Sequence, residues 1–359
     1  YDCGNFELNF EDALKLIGHQ NFEERRKSAK ARGKYRGLGV ANNVENAAGA
    51  GTEFADISFD ANGNVNVYAG TTEHGQGHPT MYRQVVSQLL GIDANKIVIH
   101  EGDTDKMEQG NGTGGSRVSS LGTSAARIAS EAIIEKGRHI AAHLLEAGSS
   151  DLEFSNGSFE VAGTDRSVSW EKLVSVVFSG DQLPDGIKPD LSVNAHFEAA
   201  APNFPSGCHA CEVEVDVDTG KVDIIRYVGV SDVGNVINPL LLNGQIYGGI
   251  GQGAGQVLME GILYDPETGQ MQTGSFLDYA MPRASDFCPF ELADNPTVTK
   301  VNPMGSKGAG EVGTACAMPA VVNAVVDALS PLGIKHLDMP VTSQKTWAVI
   351  KNAIIELKG

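Results

Sequence analysis

The sequence predicts an α+β fold in two lobes, with mixed sheets and packed helices. Segments of period two and period 3.6 are interleaved, with no sustained β-α-β-α repeat. Hairpin signals at Asn62-Gly63 and Asn156-Gly157, and the tight link Asp218-Thr219-Gly220, call for antiparallel pairing. Shorter, less regular signals over 148–190 separate two element-rich parts. We expect a helical linker segment at 1–35, a first α+β lobe at 36–150 and a second at 151–359.

In order along the chain, residues 7–32 read as charged helix. The basic run Arg25, Arg26, Lys27, Lys30 and Arg32 is expected to be a solvated helix face or a linker. Strands follow at 36–45, 53–60 and 64–69, then a helix at 79–91, where Met81, Val85, Leu89 and Leu90 set the apolar stripe. A short strand at 96–100 precedes a long helix at 118–147. Residues 169–178 form a short helix, and strands return at 191–200, 210–216 and 222–231. The rest reads as a helix at 238–259, a hairpin centred on Thr268-Gly269, and helices near 317–329 and 342–357. No repeat of 20–50 residues is present.

With 359 residues and 41% hydrophobic content, the chain can bury a substantial core. A net charge of −18 argues against a nucleic-acid binder, which would usually carry a basic face. The five cysteines (Cys3, Cys208, Cys211, Cys288, Cys316) are odd in number and form no disulfide framework. No run of about 18 uninterrupted apolar residues marks a membrane span. The start, Tyr1-Asp2-Cys3-Gly4, shows neither an initiator methionine nor a signal peptide, and we expect a reduced, cytoplasmic setting.

The 43 glycines cluster in loops. Residues 70–78 (Gly-Thr-Thr-Glu-His-Gly-Gln-Gly-His) follow a strand and open a helix, a natural seat for an anionic or polar ligand group. His74 and His78 are four apart, but Gly75, Gly77 and Pro79 break the helix face a zinc pair needs, so a hydrogen-bonding loop built on Gln76 is expected. Residues 110–117 (Gly-Asn-Gly-Thr-Gly-Gly-Ser-Arg) run straight into the long helix. Their successive N–H groups, with Ser116 and Arg117, make a phosphate cradle that is not a Walker A loop. Residues 248–255 contain Gly-x-Gly-x-x-Ala inside a helical pattern with no strand leading in. Close helix packing is expected there, with Gln252 facing outward to a partner element.

Residues 305–313 (Gly-Ser-Lys-Gly-Ala-Gly-Glu-Val-Gly) place one carboxylate, Glu311, among four glycines. A carboxylate held partly away from water can work as a base near neutral pH. A solvated surface loop is the competing reading. Cys208-x-x-Cys211 opens a strand whose positions three apart face opposite ways, so a structural role is expected. His139 and His143 lie four apart on a helix without a third ligand and read as a solvated or packing pair.

Taken as an ordered set, residues 70–78, 103–105 with 112–120, 244–255 and 307–313 resemble the C-terminal half of the molybdenum-binding subunit of the xanthine oxidase family. The likeness looks closest to the carbon monoxide dehydrogenase and aldehyde oxidoreductase large chains and covers essentially the whole chain. The resemblance implies a two-lobed molybdenum-cofactor-binding domain of a molybdenum hydroxylase. It implies a molybdopterin, in the cytosine dinucleotide form, which holds the metal without direct protein ligands. It implies Glu311 as the base that deprotonates a hydroxyl on molybdenum, with oxygen passing to an aldehyde, CO or N-heterocycle carbon and hydride to a sulfido ligand. It implies cofactor contacts at Gly75, Gln76, Gly77, Gly114, Gly115, Ser116, Arg117, Val118, Ser119 and Gln252, and at Lys307 and Gly308 in the loop of the base.

FAD and [2Fe–2S] centres are expected on partner chains or domains, because five scattered cysteines cannot supply two clusters. The family's other cofactor loop and its substrate-choosing segment lie upstream of the matching region. The chain is therefore expected to work with an N-terminal half or a sister subunit. Two other readings stay open at this level: a structural or assembly subunit without turnover, and a zinc protein using His74, His78 and the Cys208/Cys211 pair.

Overall fold

A computed structural model describes residues 1–48, 51–107, 109–180, 183 and 187–356. Two four-stranded sheets carry the architecture. The first runs β4 (Ile97–Glu101), β3 (Val65–Ala69), β2 (Thr52–Phe59), β8 (Ser192–Glu198). The second runs β1 (Lys34–Val44), β9 (Ser206–Asp216), β10 (Val222–Asp232), β11 (Phe290–Asp294). A three-stranded sheet of β5 (Leu152–Ser155), β6 (Ser158–Val161) and β7 (Ser167–Ser169) caps the first. Hairpins β2–β3 and β5–β6 turn where Asn62-Gly63 and Asn156-Gly157 predict. The expected hairpin at Thr268-Gly269 amounts to a single bridge, Tyr264 to Met271.

Each large sheet draws strands from both sides of residue 150, so the sheets do not follow the division expected there. β8 pairs with β2, from Thr52↔Glu198 to Ser58↔Ser192. β1 pairs along its full length with β9, from Lys34↔Asp216 to Val44↔Ser206. Such pairings join segments well over a hundred residues apart, and local pattern carries no signal for them.

In the first lobe, α3 (His78–Leu90), α4 (Thr123–Leu144) and α5 (Trp170–Ser179) pack against the sheet around Tyr82, Ile133, Phe159 and Trp170. The long helix expected at 118–147 begins with one wider turn at Val118–Gly122 before α4 proper. His139 and His143 are exposed on it. In the second lobe, α6 (Pro239–Leu258), α7 (Val312–Leu329) and α8 (Ser343–Glu356) form the core with Val213, Tyr227 and Val321. Residue 357, the expected last residue of that final helix, lies outside the described residues.

α7 is long and apolar enough to cross a membrane by length and composition. Here it is a core helix, with Ala317, Ala320 and Ala324 fully buried. Two glycines in β1 permit that burial: a Cβ on Gly37 or Gly39 would stand 2.0 or 2.1 Å from a carbonyl oxygen of α7. The glycines of 248–255 serve the same end. A Cβ on Gly249 would approach the Thr314 amide to 2.8 Å, and one on Gly253 would approach the Ala317 side chain to 2.8 Å.

Residues 1–35, expected as a linker, form two packed helices, α1 (Phe6–Ile17) and α2 (Phe22–Ala31). Ala13 and Ile17 of α1 pack on the sheet face that carries Cys208, Val228 and Val230. The arginines of the basic run are not a free solvated face, whereas Lys27 and Lys30 are exposed as expected. Arg25 pairs with Glu212, Arg26 with Asp327 and Arg32 with Glu214, while Arg36 bridges to Glu212 at 2.7 Å. The alternating acidic positions of β9 are thus buried beneath arginines. The arginines come from α2, from the turn after it and from β1.

Candidate functional site

The polar loops gather where the sheets' parallel strands end. β3 and β4 are parallel neighbours, with α3 as their crossover. Residues 70–78 leave the C-terminal end of β3, and the loop to Arg117 leaves that of β4. This is the end of a parallel strand pair at which α/β folds bind ligands. β10 and β11 form the second lobe's parallel pair, and the segment after β10 lines the same space. The result is a cleft of about 640 Å³ between the lobes.

Its walls include Gly75, Gln76, Gly114, Gly115, Ser116, Arg117, Val118, Ser119, Lys307 and Glu311. Ten of the predicted residues therefore meet in one place. Gly77 and Gly308 sit just behind the wall: Gly77 is held against Leu241 of α6, and Gly308 lies beneath Ser116. Gln252 is elsewhere, accepting a hydrogen bond from Thr314 at 2.9 Å. The glutamine of α6 that lines the cleft is Gln245, which donates to the Gly310 carbonyl at 2.8 Å.

The loop at 305–311 is held rigidly from below. Lys307 is fully buried, and its Nζ donates to Asp232 Oδ2 at 2.8 Å and to Thr297 Oγ1 at 3.0 Å. Its side chain thus anchors the loop and does not reach Glu311. The Lys307 amide donates to the Val233 carbonyl at 2.7 Å, and the Gly308 amide to Asn203 Oδ1 at 2.9 Å. Asn203 Nδ2 in turn donates to Ser120 Oγ at 3.2 Å. Ser119 Oγ donates to the Lys307 carbonyl at 3.2 Å, and Ser306 Oγ to the Ser119 carbonyl at 2.8 Å. The two loops therefore interlock. A Cβ on Gly308 would lie 1.7 Å from the Ser116 carbonyl oxygen, so only glycine fits.

Glu311 is exposed to the cleft at the mouth of α7, which starts at the next residue. Its amide donates to Ser116 Oγ at 3.1 Å, and that hydroxyl donates to Glu311 Oε2 at 3.1 Å. Ser116 adopts φ +54°, an unusual value for a residue with a side chain. Beside this pair lies Glu45, which the sequence reading missed. Burial pushes its carboxyl up to about 7, against the opposing effect of the Ser116 hydroxyl and with help from the nearby Glu311 charge.

Gly114 and Gly115 are open to the cleft, since a Cβ on either would touch nothing within 4 Å. Among the described residues, the amides of Gly114, Gly115 and Ser116 find no acceptor in the protein. This is a cradle of free donors just ahead of a helix N-terminus, suited to anionic oxygens. Arg117 gives it less charge than expected: its guanidinium is engaged by the Thr52 carbonyl at 2.8 Å and by buried Glu53 at 3.2 Å. Gln76 Oε1 accepts from the His74 amide at 2.7 Å, leaving its amide nitrogen available.

Below the 70–78 loop, Glu73, His78 and Glu101 bring potential ligand atoms within 4.8 Å of one another. His74 is not in that group. The Glu73 carboxylate instead caps the loop. Burial alone would raise it, but bonds from the amides of Gly77, His78 and Gly75 hold it below its usual range. Cys208 packs under α1 and Cys211 on the opposite face of the sheet, as the strand period requires.

A family model for the molybdopterin cofactor-binding domain matches residues 12–288. The chain belongs to that family, within the molybdenum hydroxylase large subunits. It is 36% identical to the nicotine 6-hydroxylase large subunit of Paenarthrobacter nicotinovorans, over 100% of this chain and 46% of the relative. Among solved structures it resembles the Cu,Mo-CO dehydrogenase, with a TM-score of 0.90 and 30% identity over 99% of this chain and 46% of that one. It also resembles the quinoline 2-oxidoreductase of Pseudomonas putida 86, with a TM-score of 0.88 and 31% identity over 97% of this chain and 46% of that one. The chain thus spans about half the length of the relatives it matches.

Proposed function

We propose that the cleft holds a molybdopterin in its cytosine dinucleotide form, and that Glu311 is the general base of a hydroxylation. The observation that carries this is the convergence of three glycine-rich loops on one cleft, with free amides at Gly114–Ser116 on one wall and Glu311 on another. The donor set fits the group. Open amides suit phosphate oxygens, Gln76 and Gln245 suit a polar heterocycle, and no thiolate or imidazole is required to grip the metal.

When bound, the group supplies the two-electron oxidation and presents the water-derived oxygen. The chain's own residues do the rest. The cradle at 114–116 fixes the anionic tail. Ser116 aims the Glu311 carboxylate. Glu311 takes up the proton released as the oxygen nucleophile attacks an electrophilic carbon. The buried Lys307–Asp232 pair keeps that carboxylate from drifting, which matters because small misplacements of a catalytic group are costly.

An aldehyde, carbon monoxide and an N-heterocycle carbon are the substrate classes this chemistry serves. The nicotine and quinoline in two relatives' names favour the N-heterocycle. FAD and [2Fe–2S] groups on partner chains or domains would serve as the electron acceptors. A further half or sister subunit completes the site and covers the exposed apolar segment that includes Phe276 and Leu277, 83% and 92% exposed. Small-molecule turnover in a reducing, cytoplasmic setting accords with five free cysteines and a net charge of −18.

Gly114→Val tests the cradle. The new side chain meets no protein atom at its Cβ, and the backbone there needs no positive φ, so stability should change by less than about 1 kcal/mol. It projects into the space assigned to the anionic tail. Molybdenum and nucleotide content of the purified assembled enzyme should fall at least about tenfold, equivalent to roughly 1.4 kcal/mol of binding. Full occupancy in this variant would contradict the placement.

A further inference from the structure

We propose that Glu45 and Glu311 form a single carboxyl–carboxylate pair, bridged by the Ser116 hydroxyl, that holds one proton between them and makes Glu45 the positioning residue of the base. Three geometric facts support it. First, Glu45 Oε2 is buried with no hydrogen-bond partner among the described residues, and Ser116 and Glu311 are the side chains that act on this carboxyl. A buried, unpartnered carboxylate oxygen is costly, and a proton on the group removes the cost.

Second, donors are too few for two carboxylates. The Ser116 hydroxyl has one hydrogen, directed at Glu311 Oε2, and one of its two lone pairs is taken by the Glu311 amide, so toward Glu45 it can only accept from a protonated carboxyl. The nearby cations are occupied: Lys307 is bound to Asp232, and Arg117 to Glu53 and the Thr52 carbonyl. Among the described residues, Glu311 is the charged group that acts on Glu45. Two carboxyls in mutual contact then stabilise each other best with one proton between them.

Third, the backbone is arranged to bring the pair together. Ser116 is held at φ +54° by the interlock with Gly308. The chain just after Glu45 is tied to the same loop, since the Ala48 amide donates to the Gly115 carbonyl at 2.7 Å. Ala47 bridges to Asn203, which holds the Gly308 amide. One network of backbone bonds thus sets the Glu45–Ser116–Glu311 spacing.

The consequence for turnover is a proton count. Before reaction the pair carries one proton and a charge of −1. When Glu311 takes a proton from the nucleophile the pair carries two and is neutral, and one is then returned to solvent. Burial of Glu45 raises its carboxyl to about 7, so about half of the pairs hold the first proton at neutral pH and nearly all do on the acid side of it.

This inference rests on Glu311 being the base, so its test includes a readout that does not use activity. Infrared titration of the full-length protein in its assembled complex, with and without cofactor, should show a protonated carboxyl signal near pH 7. The signal should be absent in Glu45→Gln. In Glu311→Gln it should persist but titrate at least about one pH unit lower, because the neighbouring charge is gone. A Glu45 signal that titrates near 4.5 and ignores Glu311→Gln would overturn the pair, whatever the fate of the base. In the second arm, Glu45→Gln should move the acid limb of kcat/KM against pH by about one unit. Glu45→Asp should restore titration near neutral pH. An unmoved limb in Glu45→Gln would equally overturn the role proposed for Glu45.

Discussion

Glu311→Gln should lower kcat of the assembled enzyme by about 10²–10⁴-fold, the range a positioned general base contributes. Glutamine keeps the shape and still accepts the Ser116 hydroxyl, so the loop should hold its place. It cannot take up a proton. Molybdenum and nucleotide content should stay at the wild-type level, because glutamine keeps the Ser116 contact and leaves the free amides of Gly114–Ser116 untouched. KM should change little, which marks the loss as one of transition-state stabilisation. Full turnover in this variant would favour a structural or assembly subunit, the principal rival reading.

Lys307→Met should cost about 3–5 kcal/mol of stability, read as a lower denaturant midpoint with an unchanged slope. The side chains of Lys307 and Asp232 are both completely buried, and their ion pair measures 2.8 Å. Removing the lysine strands a buried carboxylate. The amides of Gly234 and Thr297 remain as its donors, at 3.1 and 2.9 Å, together with the Thr297 hydroxyl, but no positive charge remains. The double variant Lys307→Met/Asp232→Asn should recover much of the loss, since no buried charge is left unpaired and the asparagine oxygen still accepts from the Gly234 and Thr297 amides. Recovery of stability without recovery of rate would show that the pair also serves to hold the Glu311 loop in register.

The loops were legible in sequence because glycine clusters mark backbone that turns tightly or approaches a ligand. That signal is local, and it pointed to 70–78, 110–117 and 305–313. What lay beyond it depended on distance through space. Gln245 and Gln252 are seven residues apart on α6, almost two whole turns, so both fall on nearly the same face. Periodicity cannot separate them. The roughly 10 Å between them along the axis places Gln245 at the cleft and Gln252 at Thr314.

Glu45 follows directly on β1 and has no glycine within three residues on either side. Its meaning comes entirely from Ser116 and Glu311, which the fold brings to it. The cover over the acidic positions of β9 is hidden for a related reason. Period two locates a strand face but does not say whether arginines from another element cover it, as Arg25, Arg32 and Arg36 do here. Sheet order was hidden in the same way, because β1 with β9 and β2 with β8 are long-range pairings. α7 begins five residues earlier than the pattern suggests, at Val312, because glycine and threonine in its first turn disguise the start.

The account stands most directly on what the cleft contains in the native assembly. Metal analysis of the intact, active complex, together with release and identification of its nucleotide, measures this. We expect one molybdenum and one cytidine nucleotide per copy of this chain, both reduced together in Gly114→Val. A correctly assembled and active complex with neither would contradict the central claim.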